Sequence, residues 1–161
     1  MSKIDLSGVD IQLMDGSTIH GSSLKGKTVL FVNVASKCGF TPQYEALEQL
    51  HETYGPRGLV IIGAPTDQFK QELGTDAEVA EFCKLHYGVT FGLTQKLMVN
   101  GSQRHPLFSQ LTKAKDGMGL GGPVLWNFEK FLLLPDGSVK RFRSPITPDS
   151  KVIVDLIETN L

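Results

Sequence analysis

Cysteine is scarce in this 161-residue chain, which carries only Cys38 and Cys83. That excludes the disulfide-stapled scaffold of small secreted domains, yet it leaves open whether the pair is inert or redox-active. Charge of one sign is lacking too. Lys and Arg number 16 against 17 Asp and Glu, a formal net charge of −1, so nothing favours nucleic acid or an anionic membrane surface as a partner. No apolar run approaches the roughly 20 residues of a spanning helix. Met1 to Leu13 holds neither a basic segment nor an apolar signal-type stretch, and a cytoplasmic location is expected. A phosphate loop is missing, because Gly119-Leu120-Gly121-Gly122 has no Lys and no buried strand before it. The Cys83–His86 pair has helical spacing for a metal, but no second pair completes a tetrahedral site. His20, His51 and His105 are scattered, so neither a metal nor another cofactor is expected.

What is present fits one soluble globular domain over 1–161, with 40% hydrophobic and 20% charged residues. Ile11-Gln12-Leu13 and Ser17-Thr18-Ile19 flank an Asp15-Gly16 turn and predict an N-terminal β-hairpin. Thr28 to Val34 (TVLFVNV) and Leu59 to Ala64 (LVIIGA) are continuous apolar runs, the pattern of strands buried on both faces. Between them Thr41 and Pro42 open a helix carrying Tyr44, Leu47 and Leu50, which makes a parallel βαβ unit. The capping box Thr75-Asp76-Ala77-Glu78 announces a second helix, with Val79, Phe82, Cys83 and Tyr87 along its stripe.

A short helix is expected from Pro106 and a strand over Trp126 to Leu134. Asp136-Gly137 then turns the chain into a strand over Ser138 to Phe142. A last helix opens at Thr147-Pro148 and carries Val152, Ile153, Leu156 and Ile157. Gly117 to Gly122 reads as a mobile loop. This order suits an α/β/α sandwich around a central mixed sheet, of thioredoxin-like type.

Cys38 follows a buried strand and precedes a helix, where open α/β sheets place their sites. The amides of the helix first turn, the helix dipole and the adjacent Lys37 all favour an anion there, and the thiolate is the nucleophilic form. Cys83 lies on an apolar helix stripe. By spacing alone it fits a buried structural cysteine.

The stretch Asn33-Val34-Ala35-Ser36-Lys37-Cys38-Gly39-Phe40-Thr41-Pro42-Gln43-Tyr44 resembles the active-site signature of glutathione-peroxidase-like proteins. Asp67-Gln68-Phe69 with Gln71-Glu72 and Gly74, Phe82-Cys83 leading to Tyr87-Gly88-Val89-Thr90-Phe91, Val99-Asn100-Gly101 with His105-Pro106-Leu107, and Trp126-Asn127-Phe128-Glu129-Lys130-Phe131-Leu132 follow in the family's order. The resemblance implies a thioredoxin-like fold and peroxidase chemistry. It gives Cys38 the peroxidatic role, with Gln68, Trp126 and Asn127 as surrounding hydrogen-bond donors. Taken singly, these three also fit a turn residue, a core aromatic and a strand-edge cap.

Members that use thioredoxin carry a resolving cysteine at the Phe-Cys position, and Cys83 matches it. The implied cycle reduces hydrogen peroxide or an organic or lipid hydroperoxide. Cys38 becomes a sulfenic acid, Cys83 condenses with it, and thioredoxin or a similar dithiol protein reduces the disulfide. Forming it would require the segment Thr75–Tyr87 to rearrange. Thr66 stands where many relatives have a further cysteine. Asp67 replaces a neutral amide, and would oppose the thiolate if it pointed inward. Tetrameric, glutathione-using members carry a longer insertion between the positions matching His105 and Trp126, so the resemblance implies a monomer here and makes glutathione the less favoured reductant. The alternative is a peroxide-sensing relay that passes its disulfide to a partner, and a third reading is a binding domain with inert thiols.

Overall fold

The computed structural model describes residues 3–161, so the first two positions of the expected 1–161 domain lie outside the described residues. The strands are β1 (Asp10–Gln12), β2 (Thr18–His20), β3 (Val29–Val34), β4 (Val60–Pro65), β5 (Gly92–Leu93), β6 (Lys130–Leu133) and β7 (Val139–Phe142). The helices are α1 (Gln43–Tyr54), α2 (Asp76–Tyr87), α3 (Pro106–Leu111) and α4 (Lys151–Thr159). β1 and β2 form the expected hairpin, and the other five strands make one mixed sheet in the order β5-β4-β3-β6-β7. β3 runs parallel to β4 and antiparallel to β6, which confirms the βαβ unit and places β3 at the centre of the sheet.

Period-two alternation along β3 divides the core. Leu30, Val32 and Val34 join a cluster with Tyr44 and Leu47 of α1, Val79 and Cys83 of α2, and Ile153 and Ile157 of α4. Val29 and Phe31 join a second cluster with Ile11 and with Leu107, Phe108 and Leu111 of α3. Helices therefore cover both faces of the sheet, and every β3 residue is buried. The capping box is present at α2: Thr75 Oγ1 accepts from Glu78 N at 3.1 Å. That helix ends at Gly88, whose φ of 59° suits a residue without Cβ.

Three expectations change. The strand expected over Trp126–Leu134 begins only at Lys130. The four residues before it belong to a turn in which Phe128 has φ 61°. Their backbone bonds go to Asn33 of β3: its Nδ2 donates to Trp126 O at 3.0 Å, its Oδ1 accepts from Glu129 N at 3.1 Å, and its carbonyl accepts from Phe128 N at 2.6 Å. A strand would have sent those groups to a ladder instead. Second, α4 begins at Lys151 rather than at Thr147-Pro148, with a turn before it. Third, the glycine-rich loop is held by a carboxylate. Asp116 accepts from Met118 N and Leu120 N at 2.9 Å each, and Arg143 Nε donates to it at 2.9 Å.

Candidate active site

Cys38 sits past the carboxyl end of β3, in the turn that feeds α1, and is 7% exposed. Thr41 clasps this turn by accepting from Cys38 N at 2.9 Å and donating to Ala35 O at 2.8 Å. Its hydroxyl is used there and does not cap α1, whose cap position is occupied by Pro42. The first-turn amides of α1 are not free for Cys38 either. Gln43 N, Tyr44 N and Glu45 N are paired with the carbonyls three residues earlier, at 2.8, 3.0 and 3.1 Å. The donor that reaches the sulfur is the Phe40 N–H, 3.4 Å from Sγ.

Two other loops meet the Cys38 turn at this end of the sheet. The one after β4 is joined to it twice: Lys37 N donates to Gln71 O at 2.8 Å, and Ser36 N donates to Glu72 Oε1 at 3.1 Å. The turn before β6 is joined to the same loop by Asn127 Nδ2, which donates to Gln71 Oε1 at 3.2 Å. Trp126 packs its ring on Phe69 at 5.3 Å between centroids and remains 37% exposed. Asn127 is fully buried, and its Oδ1 has no hydrogen-bond partner.

Gln68 serves as a clamp in this state. Its Oε1 accepts from Val99 N at 2.6 Å and Asn100 N at 3.0 Å, while Nε2 donates to Asn100 O at 3.0 Å. Asn100 in turn exchanges hydrogen bonds with the Val124 backbone, at 2.7 and 2.8 Å. The clamp therefore ends two residues before Trp126. Behind it, fully buried Glu129 accepts from Arg141 and Arg143 at 2.7 Å each, which fixes the start of β6.

Asp67 points away. Its carboxylate is 3.3 Å from Lys96 Nζ and its side chain is 62% exposed, so it does not oppose an anion at Cys38 from within. Thr66 is wholly buried, and its hydroxyl accepts from Gln68 N at 3.4 Å.

Cys83 faces inward from α2, is 1% exposed, and belongs to the same apolar cluster as Cys38. Both thiols are free. Burial pushes the Cys83 thiol up to about 11; the Tyr44 hydroxyl opposes the shift and the Glu72 carboxylate adds to it.

The residues that sequence reasoning left without a role are Asn33, Gln71, Glu72 and Glu129. Asn33 carried a signal of its own, because a lone amide inside a buried apolar strand has to find partners. Gln71 and Glu72 lay in a recognised motif, but only the fold shows that they bridge the Cys38 turn.

This arrangement suits a nucleophilic sulfur that attacks a small electrophile. The family model described as glutathione peroxidase matches residues 6–112. Among curated proteins, a glutathione peroxidase of Lactococcus lactis is 49% identical over 151 residues, covering 92% of this chain and 94% of the relative. The glutathione peroxidase-like peroxiredoxin 2 of Saccharomyces cerevisiae is 49% identical, covering 88% and 90%. A hydroperoxy fatty acid reductase of Synechocystis is 46% identical, covering 88% of each chain. Among solved structures, Trgpx in apo form superposes with a TM-score of 0.73 at 35% identity, covering 98% of this chain and 97% of that one. A thioredoxin-family thiol:disulfide interchange protein from Chlorobium tepidum matches at TM-score 0.64 and 17% identity over 98% of each chain. That likeness shows the fold, which is thioredoxin-like.

Proposed function

The chain belongs to the glutathione peroxidase family, and from that premise we propose that Cys38 is its peroxidatic nucleophile and Cys83 its resolving cysteine. The protein is a thiol peroxidase that reduces hydroperoxides. The observation that carries the residue assignment is the placing of the two thiols. Cys38 lies at the mouth of β3 with an N–H on its sulfur, and Cys83 is buried in the same apolar cluster.

The Cys38 thiolate attacks one peroxide oxygen, the O–O bond breaks, and the departing oxygen leaves as water or alcohol after taking a proton. Cys38 is then a sulfenic acid. The Phe40 N–H stabilises the anionic sulfur before attack, while the Trp126 indole and the Asn127 amide are donors for the departing oxygen. Gln68 supports the reaction from its clamp by holding the loops that present Trp126. Cys83 next displaces hydroxide from the Cys38 sulfur to form a disulfide. Because Cα atoms must come within about 7 Å for this bond, the segment Thr75–Tyr87 unwinds to deliver Cys83. Thioredoxin or a similar dithiol protein then reduces the disulfide by exchange.

Leu125 and Trp126 are 65% and 37% exposed beside the site, an apolar approach suited to organic and lipid hydroperoxides. The hydroperoxy fatty acid reductase among the relatives fits that substrate class. The protein acts in the cytoplasm as a monomer with one domain. No helix among the described residues is long and apolar enough to cross a membrane.

The test follows NADPH consumption with hydroperoxide, comparing thioredoxin and its reductase with glutathione and its reductase. Turnover with thioredoxin that is lost in both Cys38→Ser and Cys83→Ser is expected. Turnover with glutathione that survives Cys83→Ser would make Cys83 structural.

A further inference from the structure

Peroxide reduction at Cys38 needs the Trp126 indole and the Asn127 amide held where the departing oxygen will be. A displacement of about 1 Å in such a site can slow a reaction on the order of a hundredfold. Asn33 secures the turn that carries both donors to β3. A second tie runs from the same turn to α1, the helix that the Cys38 turn feeds.

That turn contains a strained residue. Phe128 has φ 61°, a left-handed conformation that an aromatic residue adopts only where its surroundings hold it. Both of its backbone polar groups are held. Its N–H donates to Asn33 O at 2.6 Å, and its carbonyl accepts from Lys130 Nζ at 2.5 Å. Its ring is fully buried and meets Tyr44 of α1 edge-on, 5.3 Å between centroids.

Lys130 is the first residue of β6. Strand alternation points it to the face of Leu132, where α1 packs, and away from the face of Phe131 and Leu133. It is wholly buried, and among the described residues no carboxylate lies at ion-pair distance from it. Its neighbour Glu129 is turned to Arg141 and Arg143 instead. Besides Phe128 O, the ammonium donates to Gln43 Oε1 at 2.8 Å and Ser144 O at 2.9 Å. Gln43 is the first residue of α1, and its Nε2 donates to the same Ser144 O at 2.8 Å. The knot therefore joins the Trp126–Glu129 turn to α1 and to the segment between β7 and α4.

An ammonium buried among neutral acceptors adds little to stability, since an apolar side chain of similar volume would pack there without desolvating a charge. What an apolar side chain lacks is direction. Three hydrogen bonds from one nitrogen fix where the Phe128 carbonyl sits relative to α1.

We propose that Lys130 is a positioning residue for peroxide reduction: it locks Phe128 in its left-handed conformation and ties the Trp126–Asn127 turn to α1, setting both donors against the peroxide at Cys38. Its own hydrogen bonds all lie within the knot, so it acts through the turn. The inference deepens the reading of Cys38 as nucleophile with Trp126 and Asn127 as donors, and rests on it.

Rapid quenching and mass analysis give two rates for the Cys38 thiol of the reduced protein at pH 7: oxidation by hydrogen peroxide and alkylation by iodoacetamide. Alkylation needs the thiolate but no donor for a departing oxygen. Lys130→Met, similar in volume and without donors, is expected to slow oxidation by at least about tenfold while alkylation changes less than about threefold. Cys83 is 1% exposed and escapes alkylation while the fold holds, so it reports folding in the same samples. A merely structural Lys130 would lower the urea midpoint and leave the ratio of the two rates unchanged. An unchanged ratio overturns the proposal, whether both rates hold or both fall.

Should Lys130→Met not fold, Gln43→Met decides. It cuts the tie to α1 and is expected to lower the ratio by more than about threefold, with Gln43→Glu, which keeps the acceptor for Lys130, restoring it. A wild-type ratio in Gln43→Met then overturns the proposal. If Trp126→Phe and Asn127→Ala both oxidise at the wild-type rate, the donor reading fails and this inference falls with it. If those two slow oxidation and Lys130→Met does not, only the inference falls.

Discussion

Asn33 holds Trp126: its Nδ2 donates to the Trp126 carbonyl at 3.0 Å across 93 residues of sequence. With Oδ1 on Glu129 N, one wholly buried side chain shapes the turn that brings Trp126 and Asn127 to the mouth of β3. Asn33→Ala strips both bonds and leaves buried partners unpaired, at a cost of about 2–4 kcal/mol. We expect a lower urea midpoint, altered Trp126 fluorescence and Cys38 oxidation slowed at least about tenfold. Unchanged fluorescence and rate would show that the turn stands without Asn33.

Cys83 predicts an alkaline loss of stability. Its native value of about 11 lies above that of an unfolded thiol. The native state therefore holds its proton between about pH 8.5 and 11 while the unfolded chain releases it. Stability falls as pH rises through that window, by an amount on the order of 2 kcal/mol. Denaturant unfolding of wild type and Cys83→Ala at pH 8 and 10 checks this. The loss is expected in wild type alone.

Lys130 works in the opposite sense. It is fully buried and donates to Phe128 O, Gln43 Oε1 and Ser144 O at 2.5, 2.8 and 2.9 Å. Three acceptors call for the ammonium form, yet burial pulls the group down to about 7, with Glu129 opposing. The unfolded chain binds the extra proton from about pH 7 to 10, so this residue's contribution to stability rises with pH there. Relative to Lys130→Met, wild type should gain stability from pH 7 to 9.5. A gap that stays constant or narrows would contradict this.

Asp67 should matter little. Its pairing with Lys96 is mostly exposed on the Asp67 side, and exposed pairs contribute about 0–1 kcal/mol. Asp67→Asn is expected to change peroxide turnover less than about twofold and the unfolding midpoint by less than about 2 °C. A large gain in turnover would mean that the carboxylate does act on Cys38.

The central strand was legible because burial on both faces leaves a run from Val29 to Val34 that is apolar except at Asn33. The capping box at α2 was equally plain, since Thr75 and Glu78 satisfy each other locally. Trp126–Glu129 misled because its conformation is imposed by a side chain from a distant strand, while Trp126 and Phe128 read as β-formers leading into an apolar run. β5, only two residues long, has no pattern to see.

The site divides the same way. Position after a buried strand announced Cys38, while only the family resemblance joined Gln68, Trp126, Asn127 and Cys83 to it. The hydrogen bonds of Gln68 and Asn127 were invisible because their partners, Val99, Asn100 and Gln71, lie on other loops. Thr41 misled for a local reason: its hydroxyl, expected to cap α1, instead ties Cys38 N to Ala35 O within the same turn.

The most direct test of the account oxidises the reduced protein with one equivalent of hydrogen peroxide, alkylates remaining thiols and maps the peptides by mass. A single Cys38–Cys83 disulfide, absent from both Cys38→Ser and Cys83→Ser, is the predicted result. Oxidation at Cys38 to sulfenic or sulfinic acid with Cys83 still a free thiol would contradict it.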